Sequence, residues 1–434
     1  MPSLNLAIIG TGHVGLVTGT CFAEKGHRVI CVDSDTSKIE TLRQGGMPIY
    51  EPGLEELVRR NVAAGRLSFS TEIAPAVRVS EIIFICVGTP PTPTGQPDLS
   101  FVEAVSREIA RNLDDSYRLI VEKSTVPVRT GEHVRRTLEK YAAKGVAFDV
   151  ASNPEFLSEG TAVRDTLTPD RIVIGASSKR AEEKLRSLFE TFNSPIIVTD
   201  INSAELIKHA SNSFLAMKVS FINAVAAICE ECGANVEEVA RGMGMDKRIG
   251  RAFLRAGAGY GGFCFPKDVE AFVAVAESLG YQFDLLRQVQ EVNVAQRERI
   301  VRKIDKELWV CKDKTVGLLG LSFKPDTDDV RESPALFIAS TLIGKGARVR
   351  AYDPKAIDKA RKAMPELTCC ADAYEAAKGA DCVVLMTEWE EFRRLDLDRL
   401  RTVMAHPTLI DCRNVFEPAS VRALGFTYRS VGRP

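Results

Sequence analysis

A short apolar run, Leu4–Ile9, passes directly into Gly10-Thr11-Gly12-His13-Val14-Gly15, and a second apolar run ends at Val32-Asp33, 18 residues past Gly15. This order of strand, glycine turn, helix and strand-terminal carboxylate constrains the fold more than any other feature of the chain. Gly10 permits a tight turn, Gly12 lets the backbone approach a pyrophosphate, and Gly15 lets helix and strand pack closely. A dinucleotide pyrophosphate would sit at the helix N-terminus, beside His13 and Val14, where free N–H groups and the helix dipole favour an anion. Asp33 is expected to accept hydrogen bonds from the adenosine ribose. No arginine follows in Ser34-Asp35-Thr36-Ser37 to receive a 2′-phosphate, so NAD is favoured over NADP. Lys38 either lies along the same ribose or is a solvated surface lysine.

The patterning beyond this unit extends the same architecture. Val29–Val32, Ile82–Val87, Leu119–Glu122, Phe148–Ala151, Ile172–Ile174 and Ile196–Val198 read as strands separated by amphipathic, helix-length segments. Such alternation implies βαβ units and a mostly parallel, doubly wound sheet. From Ser203 to Cys232 no breaker occurs, Gly233 is a plausible C-cap, and Asn202 with Glu205 resembles a capping box. One helix of roughly 45 Å is expected there. Its apolar residues (Phe214, Leu215, Phe221, Ile222, Ile228 among them) go nearly all round, so it should be buried, with a symmetry mate as one partner. Helical patterning continues to about Val310. Then Val316–Leu321, Val349–Tyr352, Cys382–Met386 and Leu409–Asp411 restart the β/α alternation, with no sequence repeat of the first part. The expected fold is α/β: two doubly wound Rossmann-like domains, residues 1–200 and 311–434, joined by a long central helix and a helical dimerisation region at 201–310.

Composition removes other classes. At 434 residues the chain exceeds a single ordinary core. A formal net charge of −1 argues against a general nucleic-acid or anionic-membrane binder. The 11 scattered cysteines do not suggest a disulfide framework, and Cys229-x-x-Cys232 lacks the second pair that a metal site needs. The N-terminal segment has no basic n-region, and Lys218 breaks the apolar run Ser213–Ile228. A cytoplasmic protein is therefore expected.

Three further segments carry polar residues where packing residues would be expected. Asn153-Pro154-Glu155-Phe156-Leu157-Ser158-Glu159-Gly160 follows a strand, the usual place for an active-site loop. Lys208 and Asn212, at i and i+4, share one face of the long helix. Gly257-Ala258-Gly259-Tyr260-Gly261-Gly262-Phe263-Cys264-Phe265-Pro266-Lys267-Asp268 brings backbone close to something and then presents a thiol. Each has a bland alternative: a turn, a solvated pair, a buried cysteine.

Together with Glu122–Pro127, Arg248-Ile249-Gly250, Phe323-Lys324 and Arg331-Glu332-Ser333-Pro334, these segments closely resemble the UDP-glucose/GDP-mannose dehydrogenase family from end to end. The resemblance implies a primary alcohol oxidised to a carboxylate in two NAD-dependent steps. It casts Cys264 as the nucleophile that becomes a thiohemiacetal and then a thioester. Lys208 or Lys267 would help to populate its thiolate. Lys208 and Asn212 would stabilise oxyanions, and Asp268, Glu159 and Thr125 would handle protons and a water. To the cofactor contacts the resemblance adds Thr89, Thr125, Glu159, Lys267 and Arg331. For the UDP-sugar it implies Glu155, Phe156, Leu157, Lys208, Asn212, Phe253, Leu254, Arg255 and Gly261, then Phe323, Lys324 and Arg413 from residues 311–434, the sugar-nucleotide domain. Arg248 would reach a substrate across a homodimer contact. Surface ion pairs are the alternative for Arg255 and Arg413.

The sugar is less constrained than the reaction. Phe263 departs from the serine most UDP-glucose members carry before the nucleophile, whereas Phe265-Pro266-Lys267-Asp268 fits those members better than the GDP-mannose or UDP-N-acetylmannosamine types. UDP-glucose is the expected substrate, with the other two sugars as alternatives. A non-catalytic NAD-binding protein is the distant one.

Overall fold

The computed structural model describes residues 3–92 and 95–434. Two compact units emerge, Met1–Ser211 with Glu270–Leu279, and Asn212–Val269 with Gly280–Pro434.

The first unit is built on eight strands: β1 (Asn5–Ile9), β2 (Arg28–Val32), β3 (Leu67–Ser70), β4 (Ile82–Ile85), β5 (Arg118–Glu122), β6 (Phe148–Ser152), β7 (Ile172–Ala176) and β8 (Ile196–Thr199). Their order is β3-β2-β1-β4-β5-β6-β7-β8, parallel except for the β6–β7 pair. Ile82–Ile85 and Leu119–Val121 are buried on both faces, as strands covered by helices on each side must be. One apolar layer centres on Leu6, Ile8, Phe22 and Phe84, and the opposite layer on Ala7, Ile9, Ile83 and Ile120. Strand order reverses between β1 and β4, which opens a crevice at their carboxyl ends.

The second unit carries β9 (Thr315–Leu319), β10 (Arg348–Tyr352), β11 (Thr368–Cys369), β12 (Cys382–Leu385), β13 (Thr408–Asp411) and β14 (Thr427–Ser430), ordered β11-β10-β9-β12-β13-β14 and parallel throughout. This is the order of the first six strands of the other sheet, reached without a sequence repeat. Its core joins Val316, Leu318 and Val384 to Ile222 and Ala226 of the long helix and Ile300 and Ile304 of the helix Asp284–Leu308.

The long helix runs from Ile201 to Cys232, and Gly233 follows at φ +78°, the left-handed C′ position. Its start corrects the capping-box expectation. Asp200 accepts the Ser203 N–H at 2.8 Å and the Ser203 hydroxyl at 2.6 Å, while Glu205 is drawn away to the Arg129 and Gly131 N–H groups at 2.7 and 2.8 Å. The helix is also less buried than its composition suggests. Ala216, Ile222 and Ala226 are enclosed, but Phe214, Phe221 and Ile228 are 52–65% exposed and recur at i, i+7 and i+14 as one stripe. Over 18 residues its mean hydropathy reaches 1.4, so by length and composition it is apolar enough to cross a membrane despite Lys218, and 44% of that window is buried within the protein.

Candidate active site

In the first unit the glycine loop forms around backbone that leaves no room for side chains. A Cβ on Gly15 would lie 1.9 Å from the Gly10 carbonyl oxygen, and Gly10 itself, at φ +106°, packs on Cys86. Gly12 is exposed, and a Cβ there would meet nothing within 4 Å, which leaves open space at the start of the helix His13–Glu24. Asp33 completes this corner. Its Oδ2 accepts from Thr11 N at 2.8 Å and Thr11 Oγ1 at 2.7 Å, while Oδ1 takes the Asp35 N–H at 2.9 Å. Burial pushes this carboxyl up, but those hydrogen bonds outweigh it and hold the group below its ordinary value. Oδ1 keeps acceptor capacity for a ribose hydroxyl. Lys38 Nζ stands 3.7 Å from Asp33 Oδ2, so it belongs to this corner. The cradle thus fits a dinucleotide.

A residue that the sequence reading missed ties this corner to the loop after β6. Buried Glu51 accepts the Gly160 and Ala162 N–H groups at 2.7 and 2.8 Å and meets His13 Nε2 at 2.7 Å. A glutamate in Tyr50-Glu51-Pro52-Gly53, between two helices, was the available signal. On the same loop Glu155 Oε1 faces Lys208 Nζ at 2.8 Å, both side chains nearly enclosed. The Phe156 ring lies 5.6 Å from that ammonium and 3.9 Å from the Arg171 guanidinium, and Leu157 is half-buried beside it. Thr89 is buried and donates its hydroxyl to the Thr125 carbonyl at 2.9 Å; Thr125 and Glu159 are half-buried.

In the second unit Cys264, half-buried, opens the helix Cys264–Ser278. The positive end of a helix dipole favours a thiolate. Asp268, one turn on and 1% exposed, accepts from Asn212 Nδ2 at 2.6 Å and faces Lys267 Nζ at 2.8 Å. Lys208 and Lys267 therefore each stand against a carboxylate. Phe263 is held by cations, with Arg331 Cζ 4.3 Å and Lys267 Nζ 5.5 Å from its ring. Arg331 in turn grips Asp329 with Nε and Nη2.

Polar residues of the helix Asp284–Leu308 pin the glycine-rich segment before the thiol. Asn293 accepts the Tyr260 N–H at 2.8 Å and donates to the Tyr260 carbonyl, and Gln296 donates to the Gly257 carbonyl at 2.7 Å. Gly261 admits no side chain, since a Cβ would lie 2.4 Å from the Glu332 carbonyl oxygen; at Gly262 it would lie 2.8 Å from the Phe323 ring. Phe253 adopts φ +63° and is 40% exposed, whereas Leu254 is buried. Arg413 donates to the Met386 and Phe323 carbonyls and shares Glu388 with Arg255, so both arginines are ion-paired as well as placed beside the loop after β9. Lys324 Nζ lies 5.5 Å from the Phe323 ring. Arg248 projects from the surface against Asp246 at 2.7 Å.

A doubly wound sheet with a dinucleotide cradle, together with a second parallel sheet of the same strand order, defines a nucleotide-dependent dehydrogenase. The chain belongs to the UDP-glucose/GDP-mannose dehydrogenase family: residues 4–193 match its NAD binding domain, 202–295 its central domain and 317–418 its UDP binding domain. It is 47% identical to the UDP-glucose 6-dehydrogenase TuaD of Bacillus subtilis over 430 residues, covering 99% of this chain and 93% of that one. It is also 47% identical to the UDP-glucose 6-dehydrogenase of Rhizobium meliloti, covering 99% and 100%. Among solved structures, a UDP-glucose dehydrogenase from the archaeon Pyrobaculum islandicum superposes with a TM-score of 0.92 at 40% identity, covering 99% of this chain and 97% of that one. The cofactor is NAD.

Proposed function

We propose that this protein oxidises the C6 alcohol of UDP-glucose to the carboxylate of UDP-glucuronate in two NAD-dependent steps. One observation carries the reading: a half-buried thiol heads a 15-residue helix one turn before a buried carboxylate bonded to Asn212. Whole-chain identity to UDP-glucose 6-dehydrogenases supports the choice of sugar. NAD, when bound, accepts hydride from C6 at each oxidation. The glycine loop, Asp33 and Lys38 hold its adenosine half, with Thr89, Thr125, Glu159, Lys267 and Arg331 as further contacts.

The chain's own groups do the rest. In the first oxidation a base drawn from Asp268, Glu159 and Thr125-held water takes the hydroxyl proton, while Lys208 and Asn212 stabilise the oxyanion. The Cys264 sulfur then adds to the aldehyde carbon, and loss of hydride from the thiohemiacetal leaves a thioester. Water cleaves the C–S bond, releasing the carboxylate and returning the thiol. Glu155 orients Lys208 through their 2.8 Å ion pair. Phe156, Leu157, Phe253, Leu254, Arg255 and Gly261 shape the sugar site, and Phe323, Lys324 and Arg413 hold the nucleotide.

The three parts 1–200, 201–310 and 311–434 serve NAD binding, dimerisation and sugar-nucleotide binding. The exposed Phe214–Phe221–Ile228 stripe supports a homodimer, to which Arg248 lends its guanidinium from the surface. All eleven cysteines are free, which supports action in the reducing cytoplasm. The test is NADH formation with UDP-glucose, GDP-mannose and UDP-N-acetylmannosamine. Two NADH per UDP-glucose, with the other sugars slower, is expected. One NADH per sugar, or a preference for GDP-mannose, would refute it.

A further inference from the structure

The second unit contains a cavity of about 550 Å³ that the dehydrogenase chemistry does not use. One wall is the helix Asp284–Leu308, whose Arg299, Arg302, Lys303 and Lys306 recur at i, i+3, i+4 and i+7 and so form one basic stripe. The facing wall supplies Arg422, Arg429 and Arg433 from the C-terminal segment, and Glu230 and Glu231 come from the end of the long helix. With Glu307, seven cationic and three acidic side chains line the space, an excess of four positive charges.

Three of the seven cations are ion-paired, Arg302 with Glu298 outside the lining at 3.5 Å and two with lining carboxylates. Lys303 reaches Glu230 and the Ser430 carbonyl, and Arg429 reaches Glu307 at 2.7 Å. Arg299, Lys306 and Arg422 have no ion-pair partner among the described residues. Arg433 is preset: 9% exposed, it donates through Nε to the Ser430 hydroxyl at 3.3 Å and through Nη2 to the Phe416 carbonyl at 3.0 Å and the Tyr428 hydroxyl at 2.9 Å, which leaves Nη1 without an acceptor among the described residues. Guanidinium groups around a common space, with Arg433 held in place among them, suit the tetrahedral oxygens of phosphate, which Arg engages in pairs. Among the described residues no aromatic side chain lines the cavity, so none offers a base a stacking surface there. The distance from the chemistry is large. Glu230 follows Asn212 by 18 residues on the same helix, roughly 27 Å at 1.5 Å per residue.

We propose that this cavity is a second, non-catalytic binding site for a compact oligophosphate, recognised through its charge and phosphate geometry. Inorganic triphosphate is the probe, titrated calorimetrically into the full chain saturated with NADH and UDP, so that both nucleotide sites are filled. Binding is expected to be roughly tenfold or more tighter than for orthophosphate or citrate, and to weaken as salt is raised. Arg299→Glu with Lys306→Glu should weaken it by roughly tenfold or more, while turnover without triphosphate stays at the wild-type value. Arg422→Glu alone should weaken it, which guards against a folding defect in the double variant. Equal binding in both variants, citrate binding as tightly as triphosphate, or no binding to the wild type would each overturn the proposal.

Discussion

Asp33 and Asp353 hold the same position in two sheets. Each directly follows the second strand in chain order, β2 or β10, and each accepts backbone N–H from the turn after the first, β1 or β9. The two turns share a further bond, Gly10 N to the Val32 carbonyl and Gly320 N to the Tyr352 carbonyl. The carboxylates differ in what remains free. Asp353 is 1% exposed; its Oδ2 takes Leu321 N, Ser322 N, Ser322 Oγ and Trp389 Nε1, and its Oδ1 takes Lys355 N and Ala356 N. Asp33 Oδ1 accepts one N–H. One corner is open to a ribose and the other is closed by Trp389.

Cofactor choice follows from the open corner. A 2′-phosphate about 4 Å from Asp33 would meet a repulsion of ~4 kcal/mol at an effective dielectric near 20, before solvent screening. NAD should exceed NADP by roughly a hundredfold in kcat/KM. Asp33→Asn keeps an acceptor for Thr11 and should narrow that ratio by roughly tenfold or more. Equal efficiency with both cofactors in the wild type would remove Asp33 from the ribose.

The glycines separate packing from binding. Gly15→Ala forces a methyl against the Gly10 carbonyl and should cost about 3 kcal/mol, lowering the unfolding temperature by roughly 6 °C or more without any ligand. Gly12→Ala has open space at φ −67° and should melt like the wild type while losing NAD affinity. Calorimetry of both variants with and without NAD distinguishes the two roles; the reverse pattern would contradict them.

Cys264→Ser tests the covalent step. Serine keeps the volume but is a far weaker nucleophile at neutral pH, so steady-state turnover should fall by several orders of magnitude with NAD and UDP-glucose binding nearly unchanged. An ester adduct, if formed, adds mass to the intact protein. A stable variant that completes both oxidations at a near wild-type rate would rule the thioester out.

Glu122 makes stability depend on pH. Burial pushes its carboxyl from 4.5 up to about 8, against the opposing hydrogen bonds from Ser124. The folded chain therefore holds that proton more tightly than the unfolded one. Its contribution is fully present below about 4.5 and is lost as pH rises through about 8, a swing of a few kcal/mol. Glu122→Gln should flatten urea-unfolding stability between pH 5 and 8. An unchanged slope would assign the loss to other groups.

Phe221→Asp tests assembly. It places a charge in the exposed apolar stripe, and light scattering should report a dimer for the wild type and a monomer for the variant. A variant that stays dimeric would move the contact elsewhere.

Strands with apolar residues on both faces were legible in the chain, because helices cover both sides of the sheets. The strands Leu67–Ser70, Thr368–Cys369 and Thr427–Ser430 were not, since each lies at an edge, is short and alternates polar residues outward. The dinucleotide corner could be read because its residues are close in sequence. Glu51, Asn293 and Gln296 could not, because their partners lie 33 to 111 residues away. The basic cavity escaped for the same reason: a net charge of −1 hides a local excess gathered from three distant segments.

The order in which a ribosome releases this chain gives the thiol-bearing helix a role outside chemistry. All eight strands of the first sheet are made by Thr199, yet that unit also includes Glu270–Leu279, where the Phe272 ring packs 5.8 Å from His209. At about 5–20 residues per second, the nascent unit waits some 4–16 s for its last element, with the face of His209 uncovered. During synthesis, completion of the first unit therefore waits on the stretch of the thiol-bearing helix beyond Val269.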